Sequence, residues 1–182
     1  HTTVAPTSNT AAHAPKGSMV LKGGDYTLSF KMWIEPGSNL NKFWVNFKDP
    51  ASSLEFSTAD LETGKWLTMT QNFKHEGTNS ESALSIVFQP GGFAGDYNEI
   101  YIDDLTIEVD EDADGGGEDE LDKPLNETLF GFEGGVHIDG IVKRWTANSP
   151  MELSQDNPHR GDFSLKFHSD GALASNSSAF AP

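Results

Sequence analysis

The sequence predicts an all-β protein built as a sandwich of two sheets. Apolar and polar residues alternate along several segments, which is typical of strands with one buried face. Loops rich in Gly, Asn, Pro and Ser separate these segments at the spacing of about 8–12 residues that sandwiches show. The 182 residues include 18 Gly and 12 Phe. Long stretches of Ala, Leu, Glu and Lys are missing, so strands and turns are favoured over helices.

The first 109 residues contain most of the predicted strands. In the clearest one, every even position from Tyr26 to Ile34 is apolar, so this strand should bury one face. A turn signal follows at 35–39, and the next strand repeats the alternation with apolar residues at every odd position. In chain order, the predicted strands are 26–34, the segment holding Phe43, Val45 and Phe47, then 53–57, 66–73, 83–89 and 99–109.

An acidic, low-complexity segment at 110–128 predicts a flexible linker. Its residues 110–123 hold eight of the 28 acidic residues, and such a run repels itself and cannot bury a core. The strand pattern resumes after it, at 129–135, 145–147 and 162–167. Residues 129–182 are too few for a stable sandwich alone, so this second piece needs a partner surface.

Composition excludes several classes of function. The formal net charge of −16 disfavours an electrostatic surface for nucleic acid or anionic lipid, which would need clusters of Lys and Arg. The absence of Cys removes disulfide scaffolds, thiolate metal sites and cysteine catalysis. No apolar run reaches the roughly 18 residues that insertion across a membrane requires.

Catalysis has little support in the sequence. With 28 acids, a chance carboxylate pair at glycosidase separation is inevitable and carries no information. The six His form no spaced ligand pair, and His1 and His13 lie in a head that is expected to be disordered. No Gly-x-Ser-x-Gly motif is present. We therefore expect a protein that is not an enzyme.

Two sets of motifs resemble the jelly-roll carbohydrate-binding modules of families four and twenty-two, which are found in modular xylanases. One set resembles the N-terminal half of such a module, and the other resembles its C-terminal half. The N-terminal set is Phe132-Glu133-Gly134, Trp145 and 159–166; the C-terminal set is 23–30, Gly64-Lys65-Trp66 and Ile100-Tyr101-Ile102-Asp103-Asp104-Leu105.

The order of the two halves is reversed relative to that family. Residues 1–109 resemble the C-terminal half, and residues 129–182, after the linker, resemble the N-terminal half. The chain could be a circular permutant, a chain that swaps halves with a second copy into a domain-swapped dimer, or the junction of two tandem modules. A folded chain must complete its core, which favours permutation or swapping over the bare junction.

The resemblance implies non-catalytic carbohydrate binding. The ligand would be a β-linked plant polysaccharide or oligosaccharide, such as xylan or β-glucan, and the module would target an attached glycoside hydrolase. The location would be extracellular or at the cell surface. The alternative is a structural or adhesion β-sandwich spacer with no affinity for glycans.

Strand phase selects the candidate ligand-binding aromatics. If the apolar residues of the first two strands face the core, then Trp33 and Trp44 face outward. The two strands are joined by a short loop and are expected to pair, which would place both rings on one sheet face. Exposed rings suit stacking on the C–H faces of sugars. Further candidates are Gln89, which the family resemblance indicates as a hydrogen-bonding residue, and Asn46, Lys31, Phe56 and Asn148. Trp66 and Trp145 are expected in the core.

The resemblance also implies a structural calcium ion between the first and last strands of the module. Its ligands would be the side chains of Glu133 and Asp103 and the carbonyls of Gly131 and Arg160, with Asp104 as a substitute. Calcium prefers hard oxygen ligands from several chain segments, which this set supplies. Its role would be to tie strands together.

Overall fold

The computed structural model describes residues 10–15, 19, 21–48, 50–77, 84–89, 92–93, 97–109, 130–138, 141–143, 145–147 and 151–170. Within these ranges it contains twelve strands and confirms the all-β class. The acidic segment 110–128 and Asn148 lie outside the described residues. The strands are β1 Thr10–His13, β2 Gly24–Ile34, β3 Lys42–Lys48, β4 Ala51–Ser57, β5 Trp66–His75, β6 Ser85–Phe88, β7 Tyr97–Val109, β8 Val136–Ile138, β9 Ile141–Lys143, β10 Thr146–Ala147, β11 Met151–Ser154 and β12 Ser164–Asp170.

Ten of these strands form two antiparallel five-stranded sheets. The first sheet has the order β10-β1-β6-β3-β4, and the second has the order β11-β12-β7-β2-β5. Strands β8 and β9 form a separate two-stranded sheet. Each strand predicted within residues 1–109 is present, with ends that differ by a few residues.

Alternation determines which side chains fill the space between the sheets. The even residues of β2 from Tyr26 to Ile34 are buried, and so are the odd residues of β3 from Phe43 to Phe47. Much of this core is aromatic. Phe43 stacks on Phe88, with ring centres 5.4 Å apart.

Both pieces of the chain contribute to the same two sheets. Strand β12, after the acidic segment, pairs with β7 before it, and Phe167 lies opposite Ile100. At the other sheet, Ala12 of β1 pairs with Ala147 of β10. The two pieces therefore complete one sandwich within this single chain.

Strand β1 corrects the expectation that the head containing His13 is disordered. His13 pairs with Ser85 of β6 on one side and with Thr146 of β10 on the other. Ala12 is fully buried. No helix among the residues described is long and apolar enough to cross a membrane.

Candidate functional site

The two tryptophans predicted to bind ligand lie on opposite outer faces of the sandwich. Trp33 belongs to β2 of the second sheet and Trp44 to β3 of the first, and both are half-buried. The expectation that they share one sheet face is therefore wrong. The physical reason is that the chain between β2 and β3 crosses from one sheet to the other instead of closing a hairpin.

We call the outer surface of the first sheet around Lys42, Trp44, Asn46, Val87 and Gln89 the Trp44 face. Trp44 lies at its centre, directly opposite Val87 of β6. Gln89 follows β6 and is half-buried, and alternation places it on the same side as Val87. Three of the predicted ligand residues, Trp44, Asn46 and Gln89, thus share this face.

A cation borders the indole of Trp44. The ammonium nitrogen of Lys42 lies 5.3 Å from the centre of the Trp44 ring and 3.1 Å from a carboxylate oxygen of Glu55. Lysine and carboxylate therefore stand beside the ring as hydrogen-bonding groups. A ligand stacking on the ring would displace or contact Lys42.

A polar row runs beside Trp44 across four strands. The hydroxyl of Ser53 donates a 2.6 Å hydrogen bond to the side-chain oxygen of Asn46. Further along, the ring of His13 lies 2.7 Å from the hydroxyl of Ser85. Burial, with Lys48 nearby, lowers the pKa of His13, which favours its neutral ring. Amide, hydroxyl and neutral imidazole groups suit the hydroxyls of a sugar.

The backbone of Gly92 borders the Trp44 ring. The amide of Gly92 donates to the carbonyl of Gln89 at 2.8 Å, and the carbonyl of Gly92 accepts from the amide of Asn41 at 2.6 Å. A Cβ at Gly92 would collide with the carbonyl of Lys42, so only glycine allows this approach. The backbone of Gly92 therefore lies against the edge of the Trp44 ring, whose Cζ3 atom would be 3.5 Å from such a Cβ.

Phe56 is a core residue, contrary to its prediction as a ligand contact. It is 4% exposed and packs against Phe30 and Phe43, with ring centres 5.0 and 5.3 Å away. The reason is strand phase, because Leu54 and Phe56 are the inward residues of β4. Trp145 is buried as expected. Trp66 is half-buried and is not a core residue.

We call the outer surface of the second sheet around Trp66, Trp33, Tyr101, Lys166 and Glu152 the Trp33 face. These residues lie directly opposite one another on five neighbouring strands, from β5 to β11. The rings of Trp33 and Trp66 meet edge to face, with centres 6.1 Å apart. The prediction identified Trp33 but missed this row, because cross-strand register cannot be inferred from alternation.

Hydrogen bonds hold the aromatic row in place. The indole N–H of Trp33 donates to the Glu35 carboxylate at 2.9 Å. The Tyr101 hydroxyl donates a short 2.5 Å bond to Glu99. Burial is the main cause that raises the pKa of Tyr101 to about 12, and the neighbouring Glu99 carboxylate adds to the rise. Tyr101 therefore remains a neutral hydrogen-bond donor at any ordinary pH.

A β-bulge in β7 positions the two aspartates of the predicted calcium site. Asp104 has φ +47°, and the extra residue shifts the pairing of β7 with β2 between Ser29 and Lys31. The fully buried Asp103 accepts hydrogen bonds from the amides of His159 at 2.9 Å and Arg160 at 3.2 Å. Burial raises the pKa of the Asp103 carboxyl to about 6.

Glu133 binds the other end of the segment 159–163, whose first two amides bind Asp103. Its carboxylate accepts hydrogen bonds from the amides of Asp162 and Phe163 at 2.9–3.0 Å. Gly161, between the two clamped pairs of amides, has φ +72°, and a Cβ there would collide with the Glu133 carboxylate. Two acidic side chains from distant parts of the sequence thus fix the segment 159–163.

Two of the predicted calcium ligands, the carboxylates of Asp103 and Glu133, each have an oxygen that could bind a hard cation. Among the described residues, one oxygen of each carboxylate accepts a single hydrogen bond, Asp103 Oδ1 from Asp104 and Glu133 Oε2 from Asp162. Each of these oxygens retains a lone pair for a cation. The described part of the chain contains no group of three or more His, Cys, Asp or Glu side chains able to hold a metal ion. A calcium ion held by Asp103 and Glu133 would need further oxygen ligands, for which the carbonyls of Gly131 and Arg160 are the predicted candidates.

Comparisons of the chain with protein-family models, with curated proteins and with solved structures give no match.

Proposed function

We propose that the chain is a non-catalytic carbohydrate-binding module for β-linked plant polysaccharides such as xylan or β-glucan. Its role would be to hold an attached glycoside hydrolase on its substrate, outside the cell or at the cell surface. The observation that supports this most is the half-buried indole of Trp44 at the centre of a polar outer face. A flat ring bordered by amides and hydroxyls is the arrangement that sugars require.

The Trp44 face supplies both parts of such an interaction. The ring would stack on the C–H face of one sugar, and the side chains of Gln89 and Asn46 would bind hydroxyls. The charged pair of Lys42 and Glu55 would complete the border. Because most of these contacts are neutral, binding should depend little on salt.

Affinity electrophoresis tests this proposal. The chain should migrate more slowly in gels that contain xylan or β-glucan than in plain gels. Trp44→Ala should weaken binding about tenfold or more, because stacked aromatic rings carry most of the energy at such surfaces. Ser57→Ala, an exposed and uncharged position on the neighbouring strand, is the matched control and should behave like the parent chain. Equal retardation of Trp44→Ala and the control would contradict a ligand at this face.

The alternative of a structural or adhesion spacer is supported by one observation. The polar groups of the Trp44 face already bind one another, as the pairs Asn46 with Ser53 and Lys42 with Glu55 show. A face satisfied in this way can be stable without a ligand. Unretarded migration in gels containing xylan, β-glucan or mannan would favour the spacer.

Calcium is the second part of the proposal. Asp103 and Glu133 would hold the ion with the carbonyls of Gly131 and Arg160, and the ion would neutralise the buried Asp103 carboxylate. A ligand that binds only the native state stabilises it, by about 2.7 kcal/mol at a hundredfold excess over Kd. We therefore expect calcium to raise the melting temperature of EDTA-treated chain by several degrees, and Glu133→Gln to remove this rise. The same melting temperature with and without calcium would contradict the ion.

A further inference from the structure

We infer that the Trp33 face is a second site for a neutral glycan, on the opposite side of the sandwich from the Trp44 face. The inference takes its class of ligand from the proposed function. It adds a separate site, and with it the ability of one chain to hold two polysaccharide chains at once.

The aromatic surface of this site extends over neighbouring strands. Trp66, Trp33 and Tyr101 are direct neighbours on β5, β2 and β7, so the row extends about 10 Å at the usual strand spacing. Trp33 and Trp66 are both half-buried, which leaves part of each ring open to a ligand. Tyr101 is 4% exposed, and the Lys166 ammonium lies 5.4 Å from its ring centre. The open rings are therefore those of the two tryptophans, and Tyr101 forms the end of the surface.

The orientation of Trp33 is held by an acid that the sequence did not single out. Glu35, two residues after Trp33, accepts a 2.9 Å hydrogen bond from the Trp33 indole N–H. On the other side, the ring of Trp66 meets the ring of His159, with centres 5.1 Å apart. Both rings are therefore held before any ligand arrives, which reduces the entropy lost on binding. Glu35 acts as a positioning residue for Trp33.

Charge indicates that the ligand is neutral. Lys31 donates to the hydroxyl of Thr68 at 2.8 Å, and Lys166 pairs with Asp156 at 2.8 Å. His159 lies 2.6 Å from the carboxylate of Asp104. The Lys166 ammonium therefore already has a carboxylate partner and the Lys31 ammonium a hydroxyl partner, and the chain as a whole carries −16. An anionic ligand would meet a negative protein, and a cationic one would compete with pairs already made. A polyhydroxylated neutral ligand meets neither obstacle.

The two faces are far enough apart to act independently. The sheets of a sandwich pack about 10 Å apart, and each tryptophan points away from the space between them. A sugar chain on one face cannot contact the other face. One protein chain with both sites filled would therefore link two polysaccharide chains.

The test uses the whole chain with Trp33→Ala, Trp44→Ala and the double variant. In gels containing xylan, mixed-linkage β-glucan or mannan, each single variant should keep part of its retardation, and the double variant should lose it. Solutions of the parent chain with the retarding polysaccharide should become turbid or viscous through cross-linking. Each single variant should lose this effect while still binding.

Three controls make the outcome specific. Asn72→Ala, an exposed and uncharged change on the same strand as Trp66, should behave like the parent chain. Melting curves should show that the tryptophan variants remain folded. Glu35→Gln, which keeps a hydrogen-bond acceptor, should retain more binding than Glu35→Ala, although either removes the same charge.

Several results would overturn the inference. If Trp44→Ala alone abolishes retardation and Trp33→Ala matches Asn72→Ala, glycan binding stands but the second site is absent. If Trp33→Ala alone abolishes it, there is one site and it lies on the Trp33 face. Unretarded migration of the parent chain in all three gels would contradict the proposed function together with the second site.

Discussion

Phe167→Ala is expected to lower the free energy of unfolding by about 3–5 kcal/mol, the usual cost of removing a buried phenylalanine. Phe167 is 1% exposed and stacks on Phe88 and Phe93, with ring centres 4.6 and 5.3 Å away. Both of these partners precede the acidic segment, whereas Phe167 follows it. The loss would be a large share of the 5–15 kcal/mol that a domain of this size usually has.

Urea unfolding measures this loss, and Phe163→Ala is its matched control. Phe163 lies four residues earlier, is half-buried and packs at the edge of the core, so we expect a loss of about 1–2 kcal/mol there. Equal effects of the two substitutions would show that Phe167 does not join the two pieces of the chain in one core.

The second large effect is a fall in stability with rising pH, caused by Asp103. The pKa of this carboxyl is raised from 3.8 to about 6 by burial, so the folded chain holds the proton more tightly than the unfolded chain does. The contribution of Asp103 to stability is then greatest below about pH 4, decreases between pH 4 and 6, and is level above that. By the linkage between proton binding and folding, this shift lowers the free energy of unfolding by about 2–3 kcal/mol across that pH range.

Denaturant unfolding at several pH values, in buffer with EDTA, checks this prediction. Asp103→Asn cannot ionise and should flatten the profile between pH 4 and 6, even though the variant is less stable at every pH. The hydrogen bond to Lys166 lowers the pKa of Asp156. Asp156 therefore makes stability rise with pH, at lower pH values, in both the parent chain and Asp103→Asn. The difference between the two profiles therefore isolates Asp103, and parallel profiles would refute the assignment.

Alternation was sufficient to predict most of the first piece. It located β2, β3 and β7 and identified which residues of β2 and β3 face the core, because a period of two requires no knowledge of neighbours. It could not identify β1. Thr10–His13 has no apolar alternation, and it is a strand because β6 and β10 pair with it on both sides.

Alternation also predicted only part of the candidate site, because it carries no information about which strands pair. Trp33 and Trp44 were identified as outward residues, but their assignment to a common face required knowing which strands pair. The sequence did not indicate that Trp66 and Tyr101 lie beside Trp33 on neighbouring strands. The bulge at Asp104 sets part of the register of β7, and a single extra residue of this kind leaves no periodic signal.

The pairing of Ala12 with Ala147 has a consequence for the kinetics of folding. Contacts between residues so far apart in sequence require closure of a large loop before they return any energy, and chains dominated by them fold in milliseconds to seconds. Strands β2, β5 and β7 can associate early because fewer residues separate them in the sequence, whereas β1 and β10 must wait for residues more than a hundred positions apart to meet. We therefore expect a slow final phase in refolding, in which the first sheet closes at its β10 edge.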